Sequence, residues 1–514
     1  MKWLSDLWRW HRRKAPLIQL LHYALVLALI VPPSVYVIIS IFDTSCAEGV
    51  EQRDGDSECT GVTDGSFAYF DDLEPVFDRI KEENQRVEKG DKDYATIALM
   101  VPMPEEDNKV EKTRVLRDVQ GSYLAQYRAN REGDNIPIRL VLANPGPDNK
   151  HGKEVADQLV AMADSEHRLR GVFGFNRSVD STLDTIKYLT GKKIPVVGGP
   201  ITSDKIDPAK LPGLAKVVPS SLDQAEALTN YLKVEPQDTF LVEDTRPGDL
   251  YAESVRDAFR AQTTENKGAK TPYLPEQFNS ENVIPKDFKD MVNNLCVSRA
   301  TTVYFSGRVP ELAEFVKALG GRGCTDKHYT VVTLSGGSLL ALDPRMEQAW
   351  AAFKLGKGIE VKYATVTHAQ AWTANNPPKT GGSAADFLAL RKLVTDPSER
   401  KKVGDIGPTD LADGQVITLH DAARTMIEGI RNRQQAGKGV PELEDVREAW
   451  RRLHGSSKVR GASGWICLDN DANAYNKAVA IVRLDPAPKQ HIKFEKLAWP
   501  KGRPPTEECR AETD

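Results

Sequence analysis

The 514-residue sequence lacks almost everything that marks an enzyme or a nucleic-acid binder. It has no G-x-S-x-G elbow to present a nucleophile, no H-E-x-x-H helix to hold a catalytic zinc and no Walker A phosphate loop. LSGGS at 334–338 matches part of an ATPase signature, but without a phosphate loop the match is accidental. The nine histidines are scattered, and His151, His368 and His420 have no partner at ligand spacing. Paired acids such as Asp71/Asp72 and Glu105/Glu106 read as solvated loop charges, since a glycosidase pair needs a fixed separation across a cleft. Net charge is small as well: 69 Lys plus Arg against 73 Asp plus Glu leave −4, and beyond the basic N-terminus the signs alternate closely, which excludes a phosphate-binding stripe. No catalytic activity, cofactor, metal or nucleic-acid partner is expected.

What is present begins with the N-terminus. Lys2, Arg9, Arg12, Arg13 and Lys14 outweigh the single acid Asp6 and precede an uncharged stretch from Ala15 to Phe42. Roughly 20 apolar residues cross about 30 Å of hydrocarbon, and this run exceeds the roughly 7 to 15 of a cleaved signal peptide. The expectation is an uncleaved transmembrane anchor at 15–42 with a cytoplasmic basic segment at 1–14. Trp3, Trp8 and Trp10 would sit at the interface, and everything from Asp43 onward would lie outside a cell membrane spanned once. A lipoprotein reading through Cys46 is weaker, because Asp43, Thr44 and Ser45 lack the apolar residue that lipidation sites place three positions upstream.

On this reading all six cysteines, Cys46, Cys59, Cys296, Cys324, Cys467 and Cys509, face an oxidising compartment where disulfides persist. None is spaced C-x-x-C, so zinc is a poor reading. The sequence allows fifteen connectivities, of which neighbour pairing, 46 with 59, 296 with 324 and 467 with 509, is the arrangement adopted.

The acidic stretch 43–92, with one amphipathic run from Leu73 to Val87, reads as an extracytoplasmic stalk. Beyond it, short apolar runs alternate with helical patterns: YATIALMV at 94–101, a helix from Thr113 to Ala129, a strand from Ile138 to Ala143, and so on to Gly198. The rhythm restarts after Pro219 and runs to Leu334. Such alternation implies two doubly wound α/β lobes, whose ligands bind beyond the carboxyl ends of the strands, in one shared cleft. Helical patterns then occupy 361–453, two strands follow near Gly464–Leu468 and Lys477–Leu484, and 487–514 reads as a C-terminal tail.

The series YATIALMVPM, LRDVQGSYLAQYRAN, IRLVLANPG, GVFGFNRSVDSTLDTIKYLTGKKIPVVGGPITSDKI, VYFSGRVPELAEFVKAL and GASGWICLDNDANAYNKAVAIVRL resembles type I periplasmic binding proteins over about 390 of the 514 residues. The likeness is to leucine/isoleucine/valine-binding proteins of ABC importers and to receptor ligand-binding regions. It implies the periplasmic binding protein-like I fold at 93–486: lobe one at about 93–216 and 366–455, lobe two at about 217–365 and 456–486, joined by three crossovers and closing on a small polar ligand. Carried over by motif, Ser178 would hold a carboxylate at a helix start, a position where a plain N-cap is the alternative. Pro200 and Thr202 would offer a carbonyl and a hydroxyl, against an ordinary turn. Tyr251 would be the cleft tyrosine of lobe two, against a core tyrosine. Arg308 stands where amino-acid binders carry an aromatic, which implies a more anionic ligand or a solvated arginine. Where those binders present an acid to the ligand's ammonium, this chain has Leu334, Ser335 and Gly336, which favours an anionic or neutral ligand. Two roles follow from the resemblance: a membrane-anchored solute-binding protein serving an ABC-type importer, or a sensor that passes lobe closure to a separate signalling partner.

Overall fold

The computed structural model describes residues 15–16, 45–53, 58–105, 107–133, 135–263, 275–282, 285–347, 358–433, 439–485 and 492–511. In lobe one, β1 (Ser45–Ala47), β2 (Val50–Gln52), β3 (Cys59–Thr63), β4 (Ala95–Met100), β5 (Ile138–Asn144), β6 (Leu169–Gly174), β7 (Val196–Gly198) and β8 (Leu214–Lys216) form a sheet ordered β1-β2-β3-β5-β4-β6-β7-β8. From β5 to β8 every neighbouring pair is parallel. β4, β5 and β6 are buried along their whole length, and this explains why they read as unbroken apolar runs.

The first part of lobe one carries α1 (Glu74–Glu88), α2 (Lys109–Ala129), α3 (Gly152–Ala163) and α4 (Asp180–Gly191). In lobe two, α5 (Ser221–Leu232), α6 (Leu250–Thr263), α7 (Pro285–Val297) and α8 (Val309–Gly320) accompany β9 (Thr239–Asp244), β10 (Glu276–Phe278), β11 (Thr302–Ser306), β12 (Tyr329–Thr333) and β13 (Ile359–Thr365). The chain then returns to lobe one, where α9 (Gln415–Arg433) packs along α2. Gly121 makes that approach possible, since a Cβ there would lie 2.3 Å from the Val416 carbonyl oxygen. The core of lobe two is aromatic instead, with Phe278 against Phe288 at 5.2 Å and Phe305 against Phe315 at 5.5 Å between ring centroids.

The hairpin β14 (Val459–Gly461) and β15 (Gly464–Ile466) stays with lobe one, and the chain crosses to lobe two only at β16 (Val479–Leu484). Residues 456–478, expected in lobe two, are held back by Asp421 of α9. Its carboxylate accepts from Ala462 N at 2.9 Å, Ser463 N at 2.7 Å and Ser463 Oγ at 2.5 Å. His420 Nδ1 lies 2.9 Å from the same carboxylate, and Lys477 Nζ donates to Ser463 Oγ at 2.9 Å. All five residues are buried. Burial works against the Asp421 charge, but His420, Lys477 and Ser463 outweigh it and lower its pKa, while burial pushes Lys477 down to about 8.

The expected stalk is part of lobe one. β1 to β3 extend the sheet, with β3 antiparallel to β5, and α1 packs on β5 through Val76, Phe77, Ile80 and Val87. Buried Asn84 pins that helix by donating to the Leu140 carbonyl at 2.7 Å and accepting from Leu140 N at 2.9 Å. Nor is 487–514 a simple tail. β17 (Ile492–Ala498) pairs antiparallel with β16 at the edge of lobe two, after which the chain runs back to lobe one. The disulfides join Cys46 to Cys59, Cys296 to Cys324 and Cys467 to Cys509, the neighbour arrangement.

The single-pass membrane reading is corrected, and with it the membrane as a partner, the membrane-spanning localisation and the anchored form of the function. Among the described residues no helix is long and apolar enough to cross a membrane. Even α2, with 21 residues, carries charges along its length. The expected span at 15–42 lies, apart from Ala15 and Pro16, outside the described residues.

Candidate functional site

A cavity of about 250 Å³ lies between the lobes where their strands end. Lobe one supplies the turns after β6 and β7. Gly174 closes β6 with φ +111°, and a Cβ there would sit 2.7 Å from the Met100 carbonyl oxygen, so only glycine allows the sharp exit that delivers Asn176, Arg177 and Ser178. The turn after β7 delivers Pro200 and Thr202, whose carbonyl accepts from Ser221 N at 2.8 Å at the start of α5. Lobe two supplies Tyr251 in the first turn of α6, Arg308 just before α8, and Ser335 after β12. All six residues singled out in the sequence, Ser178, Pro200, Thr202, Tyr251, Arg308 and Ser335, therefore border one cavity.

Arg308 is held in place by a buried carboxylate. Its Nε lies 2.5 Å from Asp249 Oδ2 and its Nη2 2.9 Å from Asp249 Oδ1, a two-point pairing. Burial opposes the guanidinium charge, yet Asp249 raises its pKa above the usual arginine value. Asp249 Oδ1 also accepts from Ala252 N at 3.0 Å, so the carboxylate caps α6 as it orients the arginine. The guanidinium lies 5.5 Å from the centroid of the Tyr251 ring. Burial pushes the Tyr251 hydroxyl up to about 12, and it accepts from Gly336 N at 2.9 Å. Across the cleft, the Ser178 carbonyl accepts from Tyr251 N at 3.2 Å and from Arg308 Nη2 at 3.4 Å, so the two lobes touch at the cavity edge.

Several lining residues were not among those singled out in the sequence. Arg177 stands beside Ser178 in the same motif and was readable there; its Nε lies 2.8 Å from Asp148 Oδ1. Burial, followed by the neighbouring Arg308 charge, lowers its pKa. Arg114 and Glu111 of α2 are paired with each other, and Arg114 Nη1 donates to the Asn176 carbonyl at 3.4 Å. Asp413, just before α9, is paired with Arg117 of the neighbouring α2, almost 300 residues earlier in the chain, a separation over which no local pattern points. Behind the wall, Asp118 Oδ2 accepts from Asn176 Nδ2 at 3.1 Å, and burial pushes the Asp118 carboxyl up to about 7.

The family model described as periplasmic binding protein matches residues 117–489. The chain belongs to this family. Membership places it among binding proteins rather than enzymes. Among solved structures, the leucine binding protein LivK from Thermotoga maritima is 17% identical with a TM-score of 0.56, covering 79% of this chain and 99% of its own. LivJ, a branched-chain amino acid transporter substrate binding protein from Streptococcus pneumoniae in complex with isoleucine, is 15% identical with a TM-score of 0.54 over 79% of this chain and 99% of its own. A solute binding protein from R. palustris in complex with 4-hydroxybenzoate is 13% identical with a TM-score of 0.53, over 79% and 97%. At these identities the likeness is one of fold. No curated protein matches the chain.

Proposed function

We propose that this periplasmic binding protein captures a small polar solute between its lobes, and that a separate protein reads the closed form. One observation supports the reading above others: hydroxyl, carbonyl and guanidinium groups from both lobes border the same cavity, so closing the lobes increases contact with a ligand. In the proposed pose Ser178 and Thr202 hold a carboxylate or similar polar group at the start of α4, and Tyr251, Arg308 and Ser335 close over it from lobe two. The R. palustris relative, the solute binding protein of an ABC transporter, favours an ABC-type permease as the partner. A sensor role is the second reading, favoured by the fact that LivK is covered over 99% of its length while a fifth of this chain has no counterpart in it.

A thermal-shift screen of small metabolites, followed by calorimetry, tests the proposal. A ligand at 100 times its Kd stabilises by about 2.7 kcal/mol. Ser178→Ala and Thr202→Ala are each expected to cost about 1.5 to 3 kcal/mol of binding, roughly 10- to 150-fold in Kd. Variants that stay folded and bind like the parent would remove both residues from the site.

A further inference from the structure

The arginines of the cavity are placed unequally. Arg308 spends two nitrogens on Asp249, and Arg114 is paired with Glu111. Arg177 contacts Asp148 through Nε, and its two terminal nitrogens make no hydrogen bond with any described residue although the side chain borders the cavity. Asp148 is itself 48% exposed, so solvent weakens that pairing. Arg114 is 8% exposed, and its Nε is buried without a partner. Three guanidiniums from two lobes thus converge on one space, close enough that Arg308 and Arg114 both disfavour the charge on Arg177.

The acids bordering the same space are committed elsewhere. Glu111 is neutralised by Arg114 and Asp413 by Arg117, so among the described lining residues neither carboxylate is an unpaired countercharge for an ammonium group. After β12 the wall is Ser335, Gly336 and Ser338, with no charge.

We infer that the ligand is a small organic acid without an ammonium group, and that Arg177 is the residue selecting for its carboxylate. The inference rests on the solute-binding reading and names the ligand class of that site. A carboxylate beside Arg177 meets a planar pair of unused donors and offsets the repulsion among the three guanidiniums, while an ammonium at the same place adds to that repulsion and finds the nearby acids, Asp148 and Glu111, already paired with arginines.

The test compares matched pairs on the full chain by calorimetry: leucine against 4-methyl-2-oxopentanoate, and glutamate against 2-oxoglutarate, with a neutral sugar as control. In at least one pair the oxo acid is expected to bind 10-fold or more tightly than the amino acid. Arg177→Gln should then weaken the oxo acid roughly 10- to 150-fold, with Arg177→Lys recovering part of the loss. Folding of both variants is checked by circular dichroism and melting temperature. Tighter binding of the amino acids, binding of the sugar alone, or an oxo-acid affinity unchanged in folded Arg177→Gln overturns the inference and leaves the solute-binding reading standing. Absence of binding by every compound here and in the wider metabolite screen overturns both.

Discussion

Two buried polar networks in lobe one differ in how completely they are satisfied. Around Asp421 both carboxylate oxygens are engaged, Oδ1 by His420 Nδ1 and Ala462 N and Oδ2 by Ser463 N and Oγ, and only His420 Nε2, on the far side of the ring, is buried without a partner. Around the cleft, Arg114 Nε, Asn176 Oδ1 and Asp118 Oδ1 are buried without partners. A network whose central carboxylate is saturated fixes a hairpin against a helix; one with spare donors and acceptors at its centre has capacity for something from outside. The contrast separates residues that hold the fold from residues that serve it, although both sets are charged and buried.

The largest expected effect lies in the Asp421 network. Asp421→Ala leaves Lys477 buried without its countercharge and the Ala462 and Ser463 amides without an acceptor, and should cost about 3 to 5 kcal/mol in chemical denaturation. A loss under about 1 kcal/mol would erase the contrast.

Next comes Asp118, where the sign reverses. Because burial raises this carboxyl to about 7, the folded state keeps a proton between roughly pH 4 and 7 that the unfolded chain releases, so stability falls as pH rises through that window. Asp118→Asn should remove the fall and stabilise the protein by about 2 kcal/mol at pH 8. His420 behaves oppositely: burial lowers its pKa, so its contribution grows as pH climbs toward the unfolded histidine value near 6.5. Denaturation curves of parent and Asp118→Asn from pH 4 to 8 check both slopes, and parallel curves would contradict the Asp118 assignment.

The smallest effect is at Tyr251→Phe, which removes the acceptor of the Gly336 amide at the cavity wall, where water can substitute. A loss of about 0.5 to 1 kcal/mol in thermal melts is expected. A larger loss would make Tyr251 a structural residue.

The α/β alternation was legible because β4, β5 and β6 are covered on both faces and their sequences carry that burial. β1 and β2 were not: three residues each, at a sheet edge, leave no period to read. β17 alternates only over IKFE, before the consecutive Glu495 and Lys496 break the period, and it follows the last segment of the resemblance, so the sequence reads there as a tail. The sequence places the hairpin at 459–466 with lobe two because its anchor, Asp421, lies some 40 residues away on a helix, where no local pattern reveals it. In the cleft, motif carried Ser178 and Thr202, whereas Arg114 and Asp413 reach the cavity only through the packing of α2 and α9.

The return of the chain after β17 bears on how the lobes can move. Three crossings join the lobes, between β8 and α5, after β13 and before β16, and the segment after Ala498 makes a fourth, tied to lobe one by the bond between Cys509 and Cys467 and by Gly455 N donating to the Glu508 carbonyl at 2.7 Å. A body hung on three flexible tracks can both swing and twist. A fourth track with a covalent end resists the twist, leaving the swing as the easy motion, so the jaws meet in nearly the same alignment on every closure and less orientational freedom is lost when they shut.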